Sequence, residues 1–334
     1  MNKALLLSVI LLIFVFGCGC HTSRQLPAQI FTSGDYCQVL SPANTQYDSL
    51  LATQLRNDTI FLPEVQARFT QRARSVAADI GVLSLLSKFV HLEKQLQQNQ
   101  EADQLLQMVT IRQQVTERIA LASLELTSVL SEINCEIGRS TEMKNYLQLQ
   151  LDKRETSATI LSVLAAASAQ VISSVMNLSD ADQRVIEATE ITGALVSGYF
   201  VFQALKKKDK KAMFMHKRNL LIDIRNNPVS SAVYQPMVWH YLTKEYENRE
   251  QTLTVRQTIL NRWQELNLLR EAEKEEQEQR LTLLFGQGGL YAIDDIDNRI
   301  SLLDLLAIET SLMNQELKQL QQEIIIGSQI KNKK

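Results

Sequence analysis

From Pro63 onward, apolar and polar positions alternate with a helical rhythm. Val65, Phe69, Val76, Ile80, Leu83 and Val90 recur at steps of three, four or seven, which predicts one apolar stripe. Pro63 suits the first turn of that helix, where a missing N–H costs nothing. The polar run Gln95–Gln104 supplies a reversal. Beyond it, Leu105, Met108, Val115, Ile119, Ala122, Leu126, Val129 and Ile133 keep a period of about 3.5, interrupted at Arg112, which predicts coiled-coil-like packing. Gly138, with Ser140 or Thr141, is expected to break or kink this helix before the pattern resumes through Met143, Tyr146, Leu147 and Leu151.

A further helix is predicted from Pro236 to about Phe285, with Val255, Ile259, Trp263, Leu266 and Leu269 on its apolar side. Between Arg270 and Arg280 only Ala272 is apolar, so that stretch reads as solvated all round, or else as a docking site for a basic partner. Gly286, Gly288 and Gly289 predict a helix-ending reversal, and Asp294 or Asp295 can cap the last helix. Its seam of Leu303, Leu306, Thr310, Met313, Leu317, Leu320 and Ile324 follows successive a and d positions up to Gly327. It is expected to pack on the preceding helix, a seam between copies of the chain being the alternative.

Proline placement fixes the fold class. Pro27, Pro42, Pro63, Pro228 and Pro236 are the five prolines, so 64–227 and 237–334 contain none, and glycine is scarce at 11. Proline disrupts helix interiors, and long stretches free of it, rich in Leu, Gln, Glu, Ala and Arg, predict helix. The expected architecture is all-α: an elongated antiparallel bundle over 63–334, with coiled-coil-like long helices and an apolar α-hairpin. Residues 18–62 read as a tether with one short helix near Tyr47–Leu55.

The hairpin comes from two charge-free runs. Residues 156–179 include Ile160, Leu161, Val163, Leu164, Val171, Ile172 and Val175 and would span ~36 Å as a helix. Ile191–Leu205, with Leu195, Val196, Phe200, Val201 and Phe202, would span ~22 Å. An acidic link with Asp180, Asp182, Glu187 and Glu190 joins them, and Ser179 with Asp182 forms a capping pair. Small residues four apart (Ser162/Ala166, Ala165/Ala169, Ala194/Gly198) permit close helix approach. Burial in the core and contact with a membrane both fit this composition. Six Ser, two Thr and Gln170 in the first arm favour burial. So does the charge pattern: Lys153-Arg154 and Lys206–Lys211 place both basic ends together, against the positive-inside tendency of an exported protein. Two apolar arms with an acidic tip resemble the insertion hairpins of α-helical pore-forming toxins in architecture, though in no specific motif. That resemblance implies insertion of 156–205, with Lys206–Lys211 at anionic head groups; otherwise the lysines are a solvated helix end.

The N-terminus bears on location. Met1-Asn2-Lys3 is followed by a charge-free apolar run from Ala4 to Phe16 and then Val15-Phe16-Gly17-Cys18. A small residue before a cysteine, at the end of such a run, resembles a bacterial lipoprotein precursor with residues 1–17 as signal peptide. The run is short of the ~20 apolar residues a spanning helix needs, and the charged start fits an export signal. A cleaved secretory leader and an uncleaved anchor are the alternatives. The resemblance implies acyl chains on the Cys18 sulfur and amine, a stable membrane anchor, and with Gly19 next an outer-membrane destination. Export would permit disulfides. Cys37–Cys135 would leave Cys20 by the membrane, and free buried thiols are the alternative.

Charge and chemistry then narrow the function. Losing Lys3 with the leader takes the formal charge from −2 to −3, with no basic excess for nucleic acid. His21, His91, His216 and His240 occupy no HExxH spacing, no GxSxG or paired CxxC appears, and Asp294–Asn298 lacks the glycine and distal glutamate of a calcium loop. His216 and His240 read as packing or capping residues. The expectation is a non-enzymatic envelope lipoprotein without metal, cofactor or small-molecule substrate. It would be a helical scaffold or binding module for an envelope protein or a second copy. The alternative is a membrane-active protein inserting 156–205.

Overall fold

The computed structural model describes Cys37 and residues 63–98, 101–178, 183–205, 211–245, 253–269 and 274–329. The leader with Cys18 and Cys20, the Tyr47–Leu55 helix, the Ser179–Asp182 capping pair, Lys206–Lys210 and the Lys-rich C-terminal tail lie outside these residues.

The described residues form an all-α helical bundle of ten helices with one small two-stranded ribbon. The first apolar stripe is divided among three helices: α1 (Pro63–Arg68), α2 (Gln71–Asp79) and α3 (Leu83–Gln98). Local chemistry makes the cuts. Thr70 caps α2, its hydroxyl accepting from Ala73 N at 3.3 Å. Gly81, at φ 68°, turns the chain between α2 and α3. All six stripe residues remain buried.

α4 (Ala102–Leu178) is a single helix of 77 residues, roughly 115 Å long. The break expected at Gly138 is absent. The Ser140 and Thr141 hydroxyls bond back to the carbonyls of Glu136 and Ile137, which keeps them inside the helix. A single helical glycine costs only about 1 kcal/mol, which packing of Ile133, Met143 and Leu147 on either side outweighs. α5 (Gln183–Leu205) folds back along the distal part of α4.

Strand β1 (Ala212–Met215) follows and pairs antiparallel with β2 (Gly288–Tyr291), in the register Ala212↔Tyr291 to Met215↔Gly288. Gly288 has φ 91°, and a Cβ there would lie 2.1 Å from the Phe214 carbonyl oxygen, so the ribbon needs glycine at this crossing. The glycine cluster thus ends a helix and begins a strand.

Between the strands lie α6 (Leu221–Asn226), α7 (Pro236–Thr243), α8 (Val255–Glu265) and α9 (Lys274–Phe285). The continuous helix expected from Pro236 to Phe285 is therefore three helices. α7 ends where Lys244 turns extended, α8 starts at a full capping box of Thr254 and Gln257, and Asn267 adopts a left-handed φ of 54°.

α10 (Ile293–Gln329) buries all seven predicted seam residues and runs through Gly327. Asp295 accepts from Ala292 N at 3.0 Å at its start. It packs chiefly along α4, then along α2 and α8, rather than on the preceding helix. The reason is length, because only α4 offers an apolar face long enough to match. One core results, with Phe214, Tyr241 and Trp263 joining the α2, α4 and α10 stripes. Cys37 is joined to Cys135 in a disulfide, Cα atoms 5.6 Å apart, which fastens the N-terminal segment to the middle of α4.

Candidate functional site

Two features of α4 stand apart from ordinary packing: a buried charged cluster midway along it and the hairpin at its distal end. The cluster gathers Glu136 and Arg139 from α4, His216 just after β1, Tyr291 from β2, Asn219, and Arg299 from α10. Arg139 donates to Glu136 Oε2 at 2.8 Å and to the Met215 carbonyl at 2.9 Å, and its guanidinium lies 4.2 Å from the Phe214 ring centre. Arg299, fully buried, donates to the Leu284 carbonyl at 3.1 Å and to Glu136 Oε2 at 3.4 Å. Asn219 bonds the Leu284 and Gly286 carbonyls, both at 2.8 Å.

His216 completes the cluster. Its Nδ1 is 2.9 Å from Arg139 Nη2, which can only donate, so Nδ1 accepts and Nε2 carries the proton. Nε2 then donates to the Tyr291 hydroxyl at 2.9 Å, which donates to the Leu283 carbonyl at 2.8 Å. Burial, with Arg299 and Arg139 beside it, holds the imidazole well below its ordinary pKa of 6.5. Burial pushes the Tyr291 phenol up to about 12. Two arginines and one carboxylate leave one positive charge in excess, so a neutral histidine is what the site tolerates. Sealed from solvent, this cluster is a clasp joining α4, the ribbon and α10.

Other ionic pairs sit nearer the surface. His240 Nδ1 lies 2.9 Å from the buried Asp79. Arg218 meets Glu132 at 2.9 Å, and burial raises the Glu132 carboxyl above its ordinary range. An open groove of about 780 Å³ is bordered by Glu64, Ser87, Lys88, His91 and Gln107, and Glu64 is paired with Lys94 at 3.0 Å. Among the described residues no three His, Cys, Asp or Glu are grouped to hold a metal.

The hairpin is built differently. Its seam consists of small residues: Ser162 and Ser173 of α4 are buried and Ala165, Ala166 and Ala169 half-buried, as are Gly193 and Ser197 of α5. At Gly193 the helices meet so closely that a Cβ would lie 2.1 Å from Ala169 Cβ. The large apolar side chains that the structure describes point outward. Ile160, Leu161, Val163, Leu164, Val171, Leu195, Val196 and Phe202, with Ile191, are between 42% and 70% exposed. The reading of 156–205 as a core hairpin is therefore corrected. Residues that permit close approach occupy the narrow seam, and the large side chains have no room there. For Ile172, Val175, Phe200 and Val201 the structure describes the helix and not the side chain.

Most side-chain hydroxyls on α4 here bond to their own helix, while the buried Ser173 Oγ has no hydrogen-bond partner among the described residues. The hydroxyls of Ser157, Thr159, Ser162, Ser168 and Ser174 each donate to a carbonyl three or four residues earlier. Among the described residues no helix is long and apolar enough to cross a membrane.

Sequence reasoning singled out the hairpin and His216 but missed the rest of the clasp. A signal existed. Glu136 falls three residues after Ile133, and Arg299 four before Leu303, so each puts a charge where an apolar stripe continues. Such interruptions mark buried charge that must find a partner. No protein-family model, curated protein or solved structure matches the chain.

Proposed function

We propose that this is a non-enzymatic, lipid-anchored protein of the cell envelope, in which a helical body carries the 156–205 hairpin to an apolar surface. One observation carries this reading: the hairpin turns its described Leu, Ile and Val side chains to solvent and packs Ser162, Ala165, Ala169, Ser173 and Gly193 between its arms, while the expected pair Ala194/Gly198 is exposed. Contiguous exposed apolar surface of this kind marks an interaction site. The leader resemblance supports the anchor at Cys18.

Dimensions support the arrangement. Cys18 and Cys37 are separated by nineteen residue steps, roughly 65 Å if extended. From Cys135, where the disulfide fastens that tether, α4 continues roughly 65 Å to Leu178. Arm and tether are matched in reach, so the hairpin can return to the membrane that holds the anchor.

Photocrosslinkers at Leu164 and Leu195, with Lys318 on the body as control, test the reading in native envelopes. Hairpin positions are expected to give strong lipid or protein adducts absent from Lys318. Equal labelling at all three would contradict it, and a turnover abolished by one point substitution would contradict the non-enzymatic assignment. A second reading, a scaffold binding a protein partner or another copy near the start of α4, is favoured by the exposure of Leu105, Leu106 and Val109. Loss of captured partner in Leu106→Glu, with hairpin variants unaffected, would select it.

A further inference from the structure

Resting on the reading just given, we infer that the surface met by the hairpin is an anionic lipid leaflet, and that the hairpin lies within that one leaflet without crossing it. The packing identifies hydrocarbon as the occupant. In water, paired helices bury their large apolar residues against each other. In hydrocarbon that drive vanishes, helices meet through small residues, and large apolar side chains face the lipid. The described side chains of the hairpin have the second arrangement. On α4, Leu161, Val163, Leu164 and Val171 lie opposite the Ser162/Ala169/Ser173 seam. Successive residues advance by ~100°, so these apolar positions cover an arc of roughly 160° on the outer face. On α5, Leu195 and Val196 face away from Gly193 in the same way. The side-chain hydroxyls bonded to their own helix carbonyls are already satisfied without water.

Length and charge exclude a crossing. The belt shared by both arms, from Thr156 to Val171 on α4 and Ile191 to Leu205 on α5, measures ~23 Å against ~30 Å of hydrocarbon. Arg184, Glu187 and Glu190 are exposed on the first turns of α5, just beyond the belt. A spanning hairpin would carry these charges through the hydrocarbon, which is costly for each of them. Lying flat, the pair keeps them at one end of the belt and Lys153, beside the exposed Asp152 and Glu155, at the other, all at head-group level; the run Lys206–Lys211 follows α5 in sequence. The diameter of a helix, ~10 Å, fits within one leaflet. The run Lys206–Lys211, five lysines against Asp209, supplies the complement to anionic head groups.

The test uses the full chain with Cys18→Ser and Cys20→Ser, so that no lipid anchor accounts for binding. A polarity-sensitive fluorophore is placed at Leu164→Cys, Leu195→Cys or Glu187→Cys in separate proteins with the Cys37–Cys135 disulfide intact. These positions are exposed, so the fold is retained, and helicity by circular dichroism checks it. The probes are vesicles of mixed phosphatidylglycerol and phosphatidylcholine, or of phosphatidylcholine alone. On the anionic vesicles, labels at 164 and 195 are expected to shift to the blue and to be quenched by acyl-chain nitroxides. The label at 187 should stay open to aqueous quencher added outside, and binding to phosphatidylcholine alone should be at least tenfold weaker. A 187 label reached only by quencher trapped inside would overturn the single-leaflet arrangement. Aqueous spectra at 164 and 195 would overturn lipid as the occupant. If those positions still crosslink to an envelope protein, the proposed function stands with a protein surface; if they crosslink to nothing, both fail.

Discussion

The two halves of α4 are one continuous helix with opposite packing rules. Between Val115 and Leu147, Ala122, Leu126, Val129, Ile133 and Met143 are turned inward and almost wholly buried against α10 and the ribbon. Beyond Thr156 the described large side chains turn outward, and alanine and serine take the seam. Backbone and helix propensity are alike in both halves, so the difference lies in what surrounds them. The proximal half is arranged for water outside, whereas the distal half exposes large apolar side chains. The clasp of Glu136, Arg139, His216, Tyr291 and Arg299 sits at the body end, where α4 must be held firmly to carry an arm.

The sharpest way to break the contrast is at the clasp. Glu136→Ala leaves Arg139 and Arg299 buried without their shared carboxylate, and such losses cost about 3–5 kcal/mol. Urea unfolding should show that loss, with an unchanged hairpin seam in the fraction still folded. A cost under ~1 kcal/mol would mean that the clasp is not what holds α4 to the ribbon. Next in size is Cys135→Ser. The disulfide closes a sequence separation of 98, and removing such a link costs about 2–5 kcal/mol. Its effect is expected on the body's midpoint and not on probe environment at the hairpin.

Gly193→Leu sharpens the distal half alone. Its side chain cannot fit against Ala169, so α5 must separate from α4 there at about 1–3 kcal/mol. Faster hydrogen exchange over 160–200 with an unchanged Tm for the body is the expected signature. A lowered Tm would show that hairpin and body fold as one unit.

The smallest expected effect is on pH. His216 is held well below its unfolded pKa of about 6.5, so below that pH the unfolded chain binds a proton that the folded chain refuses. Stability therefore falls as pH drops through 6.5 toward the folded value, by at most about 1.4 kcal/mol per pH unit from this group. His216→Gln should flatten the slope between pH 7.5 and 5.5 in urea unfolding. An identical slope in both proteins would contradict the burial of a neutral imidazole.

The helical rhythm made much of the fold legible. Val65 to Val90, Ala122 to Ile133 and Leu303 to Ile324 are buried where their spacing placed them. What the rhythm could not convey was decided by single caps and long-range partners. Thr254 with Gln257, and Asn267 with its positive φ, divide a pattern that reads as one helix. Four-residue strands such as Ala212–Met215 have too little sequence to declare themselves, and only the crossing at Gly288 fixes the ribbon. In the hairpin, composition located the segment, but which face turned inward depended on the close approach at Gly193. The clasp was visible only as Glu136 and Arg299 standing in apolar registers, because their partnership spans 163 residues.

The division of α4 is tested most directly by urea unfolding of Leu126→Ser beside Leu164→Ser, without lipid. Leu126 is fully buried and Leu164 is 56% exposed. The account predicts a loss of about 3–5 kcal/mol for Leu126→Ser and a change within about 0.5 kcal/mol for Leu164→Ser. A comparable loss in both would contradict it, since the distal half would then be packed as core.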